Sequence, residues 1–175
     1  MRRPGILVGG MLLAVGVLVG PVVRAETGET GKQHELAQLM QRAKVSLAQG
    51  LTASKAQGTP ISGKFEAEDG KLQLSIYTMK GDTFSEMIIN HQSGIVAKVE
   101  PITSGEDLTA AKAQRAALAT VKSSLEATVE QAVKANPGFA AVSVIPSLKE
   151  GRSIADVTLI NNQGEVLKTV SEPLS

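Results

Sequence analysis

His34-Glu35-Leu36-Ala37-Gln38 is the stretch whose residue types come closest to a catalytic pattern. The zinc-peptidase helix HExxH works because two imidazoles one turn apart hold the metal while the glutamate beside them activates water. Here Gln38 stands where the second imidazole would be, and the one other histidine, His91, falls in a turn. The stretch reads as a solvated helix start. Without a single cysteine, a structural zinc site lacks its ligands as well. Glu66, Glu68 and Asp69 gather at a hairpin, where they could bind a cation or form a carboxylate pair. Acids on the polar face of an exposed strand are the far commoner explanation, and Asp82 and Glu86 read the same way. Ser93 and Ser104 stand outside any GxSxG elbow, so nothing activates them as nucleophiles. Phosphate-binding loops of the form GxGxxG, or GxxxxGK followed by Ser or Thr, do not occur after residue 25. Met40, Met79 and Met87 fit as core filler. The residues therefore predict no catalytic, cofactor or metal site, and a protein that is not an enzyme.

The chain that would position any binding residue has 175 residues, enough for one ordinary domain or two small ones. Residues 1–25 resemble a secretory signal. Arg2 and Arg3 supply the positive start, Ile6 to Val19 is apolar or glycine throughout, and Val23-Arg24-Ala25 suits cleavage after Ala25. An uncleaved membrane anchor is the alternative, because nothing charged lies between Arg3 and Arg24. The glycines, Pro21 and the cleavage site favour removal, and the missing cysteine leaves no lipid attachment point. Cleavage takes three of the 18 Lys and Arg, leaving 15 against 17 Asp and Glu, a net charge of −2. No basic stripe then remains for nucleic acid. An exported chain without cysteine has no disulfides and depends on its core, which fits a bacterial periplasm or cell exterior. Three Phe, one Tyr and no Trp argue against a carbohydrate-stacking platform.

Residues 26–35 are polar and read as a flexible lead-in. Leu36, Leu39, Met40, Ala43, Leu47 and Leu51 recur at helical spacing, as one helix or as two with Ser46 capping the second. After Gly58-Thr59-Pro60 the chain alternates in strands. Ile61 to Glu68 and Leu72 to Tyr77 are joined at Asp69-Gly70. Phe84 to Ile89 follows after Lys80-Gly81-Asp82, in a phase blurred by a bulge or by burial on both sides. Ile95 to Val99 follows Gln92-Ser93-Gly94. This predicts an antiparallel meander under a helix. Leu108 to Ala135 then reads as one long helix with a possible break at Ser123-Ser124. Strands around Val142, Val157 and Val166 to Val170 complete the chain, with a loop from Pro146 to Gly151.

The order helix, turn, strands thus occurs twice. A shift of 78 residues lays Ser46-Leu47 on Ser124-Leu125 and Lys71 on Lys149. A shift of 72 lays Glu100-Pro101-Ile102 on Glu172-Pro173-Leu174, so the second copy is shorter by one hairpin arm. The predicted fold class is α+β, a helix packed on an antiparallel β-meander, with the unit duplicated over 36–102 and 103–175.

The turn Asn90-His91-Gln92-Ser93-Gly94-Ile95-Val96 is similar to the D-x-x-T-G-x-V turn of the PepSY domain, with Asn90 for the acid and Ser93 for the threonine. Asn161-Asn162-Gln163-Gly164 is a shorter echo. The first half resembles that family over residues 45–102, and the second half loosely. The resemblance implies a non-enzymatic exported module that binds and regulates, with an envelope peptidase or another envelope protein as partner, and Asn90 to Gly94 as the contact turn. It implies no nucleic acid, and a membrane only through an uncleaved signal. A small-ligand or metal-binding carrier and a structural envelope protein are the alternatives.

Overall fold

The computed structural model describes residues 27–171. The expected signal segment and the Glu172-Pro173-Leu174 match lie outside them. The elements are α1 (Thr27–Met40), α2 (Leu47–Ser54), β1 (Thr59–Glu68), β2 (Lys71–Lys80), β3 (Thr83–Ile89), β4 (Val96–Ile102), α3 (Gly105–Leu118), α4 (Leu125–Ala135), β5 (Phe139–Lys149), β6 (Arg152–Asn161) and β7 (Val166–Ser171). Seven antiparallel strands form one sheet in the order β4-β3-β2-β1-β5-β6-β7. The expected α+β fold with a repeated meander is what the chain adopts, four strands in the first half and three in the second.

The two halves join where β1 meets β5, with Gly63 opposite Val144 and Lys64 opposite Ser143. In each half a serine caps the helix that leads into the strands. The Ser46 hydroxyl accepts from the Gln49 N–H, and the Ser124 hydroxyl from the Ala127 N–H. Each half then makes a hairpin whose turn residues both have positive φ, Asp69 and Gly70 in the first and Glu150 and Gly151 in the second. That is the backbone of a two-residue turn matching strand twist. The helices correspond at the expected 78 residues, but the hairpin turns correspond at 81. Lys71 therefore matches Arg152, not Lys149, because α4 runs three residues longer than α2, 11 against 8, before the strands begin. The 81-residue step also carries Gly63 onto Val144, so an approximate twofold axis passes through that pair.

Alternation gives the sheet two different faces. One face carries Phe65, Leu74, Ile76, Met87 and Ile89 in the first half and Val144, Ala155, Val157 and Leu159 in the second. Leu47 and Leu51 of α2 and Leu125 and Val129 of α4 close over it in the same cluster. Each fully buried Val, Leu, Ile, Phe or Met among them stabilises by about 1.5–3 kcal/mol. Gly63 in β1 brings α2 close, since an added Cβ would lie 2.7 Å from Ile76 and 3.2 Å from Leu47. Lys55, just past α2, pairs at 2.9 Å with the buried Glu126 in the first turn of α4. The opposite, outer face carries a smaller cluster, Ile61, Phe84 and Ala111, supported by Tyr77, Met79 and Leu108. A register shift between Pro60 and Ser62 turns Ile61 to this side.

Several sequence expectations change. The polar lead-in contributes the first turns of α1, which begins at Thr27 and buries Ala37 and Leu39. The stripe before residue 58 is two helices, broken between Met40 and Ser46. The long helix is also two, because the chain leaves the outer face after Leu118 and re-enters the other face at Ser124. Pro146 lies inside β5 opposite Ala155, not in a loop. The blurred phase of Phe84 to Ile89 has both predicted causes. Phe84 is buried outward while Met87 and Ile89 are buried inward, and the β3–β4 register shifts between Ile88 and Ile89.

Candidate binding surface

On the outer face, α3 covers only part of the sheet, and polar side chains occupy much of the rest. Lys64 of β1 bonds Glu66 at 2.8 Å and places its ammonium 5.7 Å from the centre of the Tyr77 ring. The Tyr77 hydroxyl donates to Glu86 across the β2–β3 pair at 3.3 Å. Burial first, then the charges of Glu86, Glu66 and Asp107, holds the phenol far above its usual range, so it stays a neutral donor. Gln73 donates to the buried Ser75 at 3.0 Å. The Ser62 hydroxyl donates at 2.8 Å to the Gln114 amide oxygen and ties α3 to β1. These polar groups satisfy one another, which is the condition for burying them without loss.

Beside this strip, α3 and the sheet enclose a groove of about 240 Å³. Ser62, Lys64 and Tyr77 form one side, Ile145 and Pro146 of β5 another, and the alanines of α3 with Asp107 the wall. Ile145 is 41% exposed there, unusual for a large aliphatic side chain in a sheet. The short alanine side chains keep the groove open. It can hold a small apolar group and offer it a phenol, an ammonium and a carboxylate at the rim. Ser62 has an amide for a neighbour and no base.

The turn expected as a contact, Asn90 to Gly94, is not among the residues that line this groove. The Asn90 side-chain oxygen accepts from the N–H groups of Gln92 and Ser93 at 2.9 and 3.1 Å. Gly94 has φ 75° and donates to the Asn90 carbonyl at 2.8 Å. The His91 carbonyl accepts from Lys44 and Val45 at 2.9 and 3.1 Å, and the Gln92 amide bonds the Arg42 carbonyl. The turn thus anchors the α1–α2 connection. Scrambling His91 to Ser93 would therefore disturb the fold as well as the surface. The echo at Asn161 has the same construction, its side-chain oxygen accepting from Gln163 and Glu165 at 3.0 and 2.9 Å. The imidazole of His34 lies against Gly164, where an added Cβ would come within 2.7 Å of Nδ1.

Of the other singled-out residues, Glu66 and Glu86 come together in the Tyr77 strip, through Lys64 and the phenol, while Asp82 pairs elsewhere with Arg115 at 2.6 Å. Glu68, Asp69, Glu35 and Gln38 are exposed. Ser104 precedes α3 and makes no side-chain capping bond. Among the described residues, no three His, Asp or Glu side chains come together to hold a metal, and no helix is long and apolar enough to cross a membrane. Sequence reasoning passed over Tyr77, Gln114 and Ile145. The one signal for them was the isolation of Tyr77 as the sole tyrosine.

No family model and no curated protein matches the chain. Among solved structures it is similar to the crystal structure of a "putative lipoprotein" from Clostridium difficile, with 15% identity and a TM-score of 0.38, over 76% of this chain and 97% of the other.

Proposed function

We propose that the chain is a non-enzymatic, PepSY-like binding module of the bacterial periplasm or cell exterior, which regulates an envelope peptidase by docking on it through the outer face of the sheet. The supporting observation is the groove beside Tyr77, with Ile145 exposed at its edge, on a sheet face that α3 covers only in part. The reading of location rests on residues 1–25, and that of partner class on the turn at Asn90. In the test, the chain from Glu26 onward is added to each peptidase secreted by the source cell. Wild-type protein should slow at least one of them, and Ile145→Asp should relieve the inhibition without lowering thermal stability. No inhibition of any of these peptidases would refute the regulatory role.

The 240 Å³ groove favours one second reading, a carrier of a small, partly apolar ligand. A thermal-shift screen of envelope metabolites separates the two, because a ligand at 100 times its dissociation constant adds about 2.7 kcal/mol of stability.

A further inference from the structure

β4 is an edge strand, and its outer backbone edge has no neighbour among the described strands. Two of the most exposed large aliphatic residues among the described residues sit on or beside it, Ile95 at 68% and Val99 at 46%. Val99 pairs with Met87 in β3 and so shares its face, the face that α2 covers further in. Lys98 and Glu100 point to the outer face and bond each other at 2.9 Å. An unpaired strand edge with an exposed aliphatic side chain is a template for another strand.

We infer that β4 is the seam of a symmetric homodimer, pairing antiparallel with β4 of a second copy about a twofold axis through Val99. Charge selects this partner and this register. Paired residues of antiparallel strands lie on one face, so an axis through residue 98, 99 or 100 keeps the helix-covered faces of both copies on the same side. An axis through Lys98 sets lysine against lysine, and one through Glu100 sets glutamate against glutamate. Only the axis through Val99 sets each Lys98 opposite the other copy's Glu100, twice by symmetry.

The backbone agrees with this choice. Pro101 pairs with Ser85, and a proline in an edge strand turns its ring nitrogen away from its ladder partner. Val99, two residues earlier, then turns its own N–H and C=O outward. With the axis at Val99 the two copies exchange that pair of hydrogen bonds reciprocally. The Val99 side chains meet across the seam, and the groove beside Tyr77 stays open in both copies.

The test is the oligomeric state of the chain from Glu26 onward, by sedimentation over a range of concentrations. Wild-type protein should show a concentration-dependent monomer–dimer equilibrium. Lys98→Glu and Glu100→Lys should each weaken it by about tenfold or more, since each makes both cross-strand pairs like-charged. The double swap, Lys98→Glu with Glu100→Lys, should restore dissociation to near the wild-type value. Val99→Pro should abolish the dimer while circular dichroism and thermal midpoint show a folded monomer. A wild type that is monomeric throughout would overturn the inference. So would a dimer indifferent to the single charge changes, or a double swap no tighter than either single change.

Discussion

Gly63 sits on the approximate twofold axis under α2, and replacing it with alanine probes how closely the helix is fitted to the sheet. The new Cβ would lie 2.7 Å from Ile76 Cδ1, 3.2 Å from Leu47 and 3.4 Å from Leu51. All three side chains are essentially fully buried and cannot swing into solvent. Overpacking a core of this kind costs about 1–3 kcal/mol. Alanine is better than glycine in a strand by roughly 0.5–1 kcal/mol, which offsets part of it. The expected net effect is a loss of about 1–2 kcal/mol. Ile76→Val removes the methyl that the new Cβ meets and alone should cost about 0.5–1.5 kcal/mol. If the clash is the cause, the double variant should be clearly more stable than the two single losses added, because the vacated space takes the new methyl. Urea unfolding followed by circular dichroism measures all three variants, with unchanged denaturant slopes as the check that only stability moved. A neutral or stabilising Gly63→Ala, or strict additivity in the double variant, would refute the close-fit argument.

Lys55→Met removes the partner of the buried Glu126 and should lower stability by about 1–2 kcal/mol, below the 3–5 kcal/mol of a fully buried pair because Lys55 is half exposed. Burial works to raise the Glu126 pKa, but the hydrogen bonds from Lys55, its own N–H and Ser124, with the Lys55 charge, outweigh it and lower the value. Its stabilising contribution is therefore present above the ordinary carboxylate range and lost as pH falls through the lowered value, so Lys55→Met should flatten the acid limb of stability against pH. Ser46→Ala and Ser124→Ala should each lose about 1 kcal/mol in chemical denaturation, since each removes the hydroxyl that accepts at the start of its helix. Tyr77 is the sole tyrosine, so ultraviolet titration reports it alone; the phenol should stay un-ionised well above its ordinary value until the protein unfolds. Because its folded pKa is raised, stability should hold below the ordinary phenol value and fall as pH climbs above it. Ionisation at the ordinary value in folded protein would contradict its burial beside Glu86.

The first meander was legible because its signals are local. Asp69-Gly70 supplies two positive-φ residues between alternating runs, and the strands flank it as the alternation requires. The serine caps at 46 and 124 were equally local. What stayed hidden depends on distance. Ala111, Leu118 and Val121 continue the apolar spacing toward Leu125, so periodicity reads one helix where the chain crosses from one sheet face to the other. The 81-residue step of the strands is invisible to a search that fixes on the capping serines. Tyr77 and Ile145 meet only because β1 and β5 join the halves, and no local pattern announces that pairing. The turn at Asn90 was correctly placed as a turn. Its role in holding Arg42 to Val45 involves residues some fifty positions earlier in the chain.

The packing of His34 against Gly164 has a consequence for the order of folding. α1 is the first described element of the chain, yet one of its neighbours is the turn between the last two strands, 130 residues later. The hairpins can close early, because each needs only adjacent residues. α1 cannot take its final place until nearly the whole chain has been synthesised.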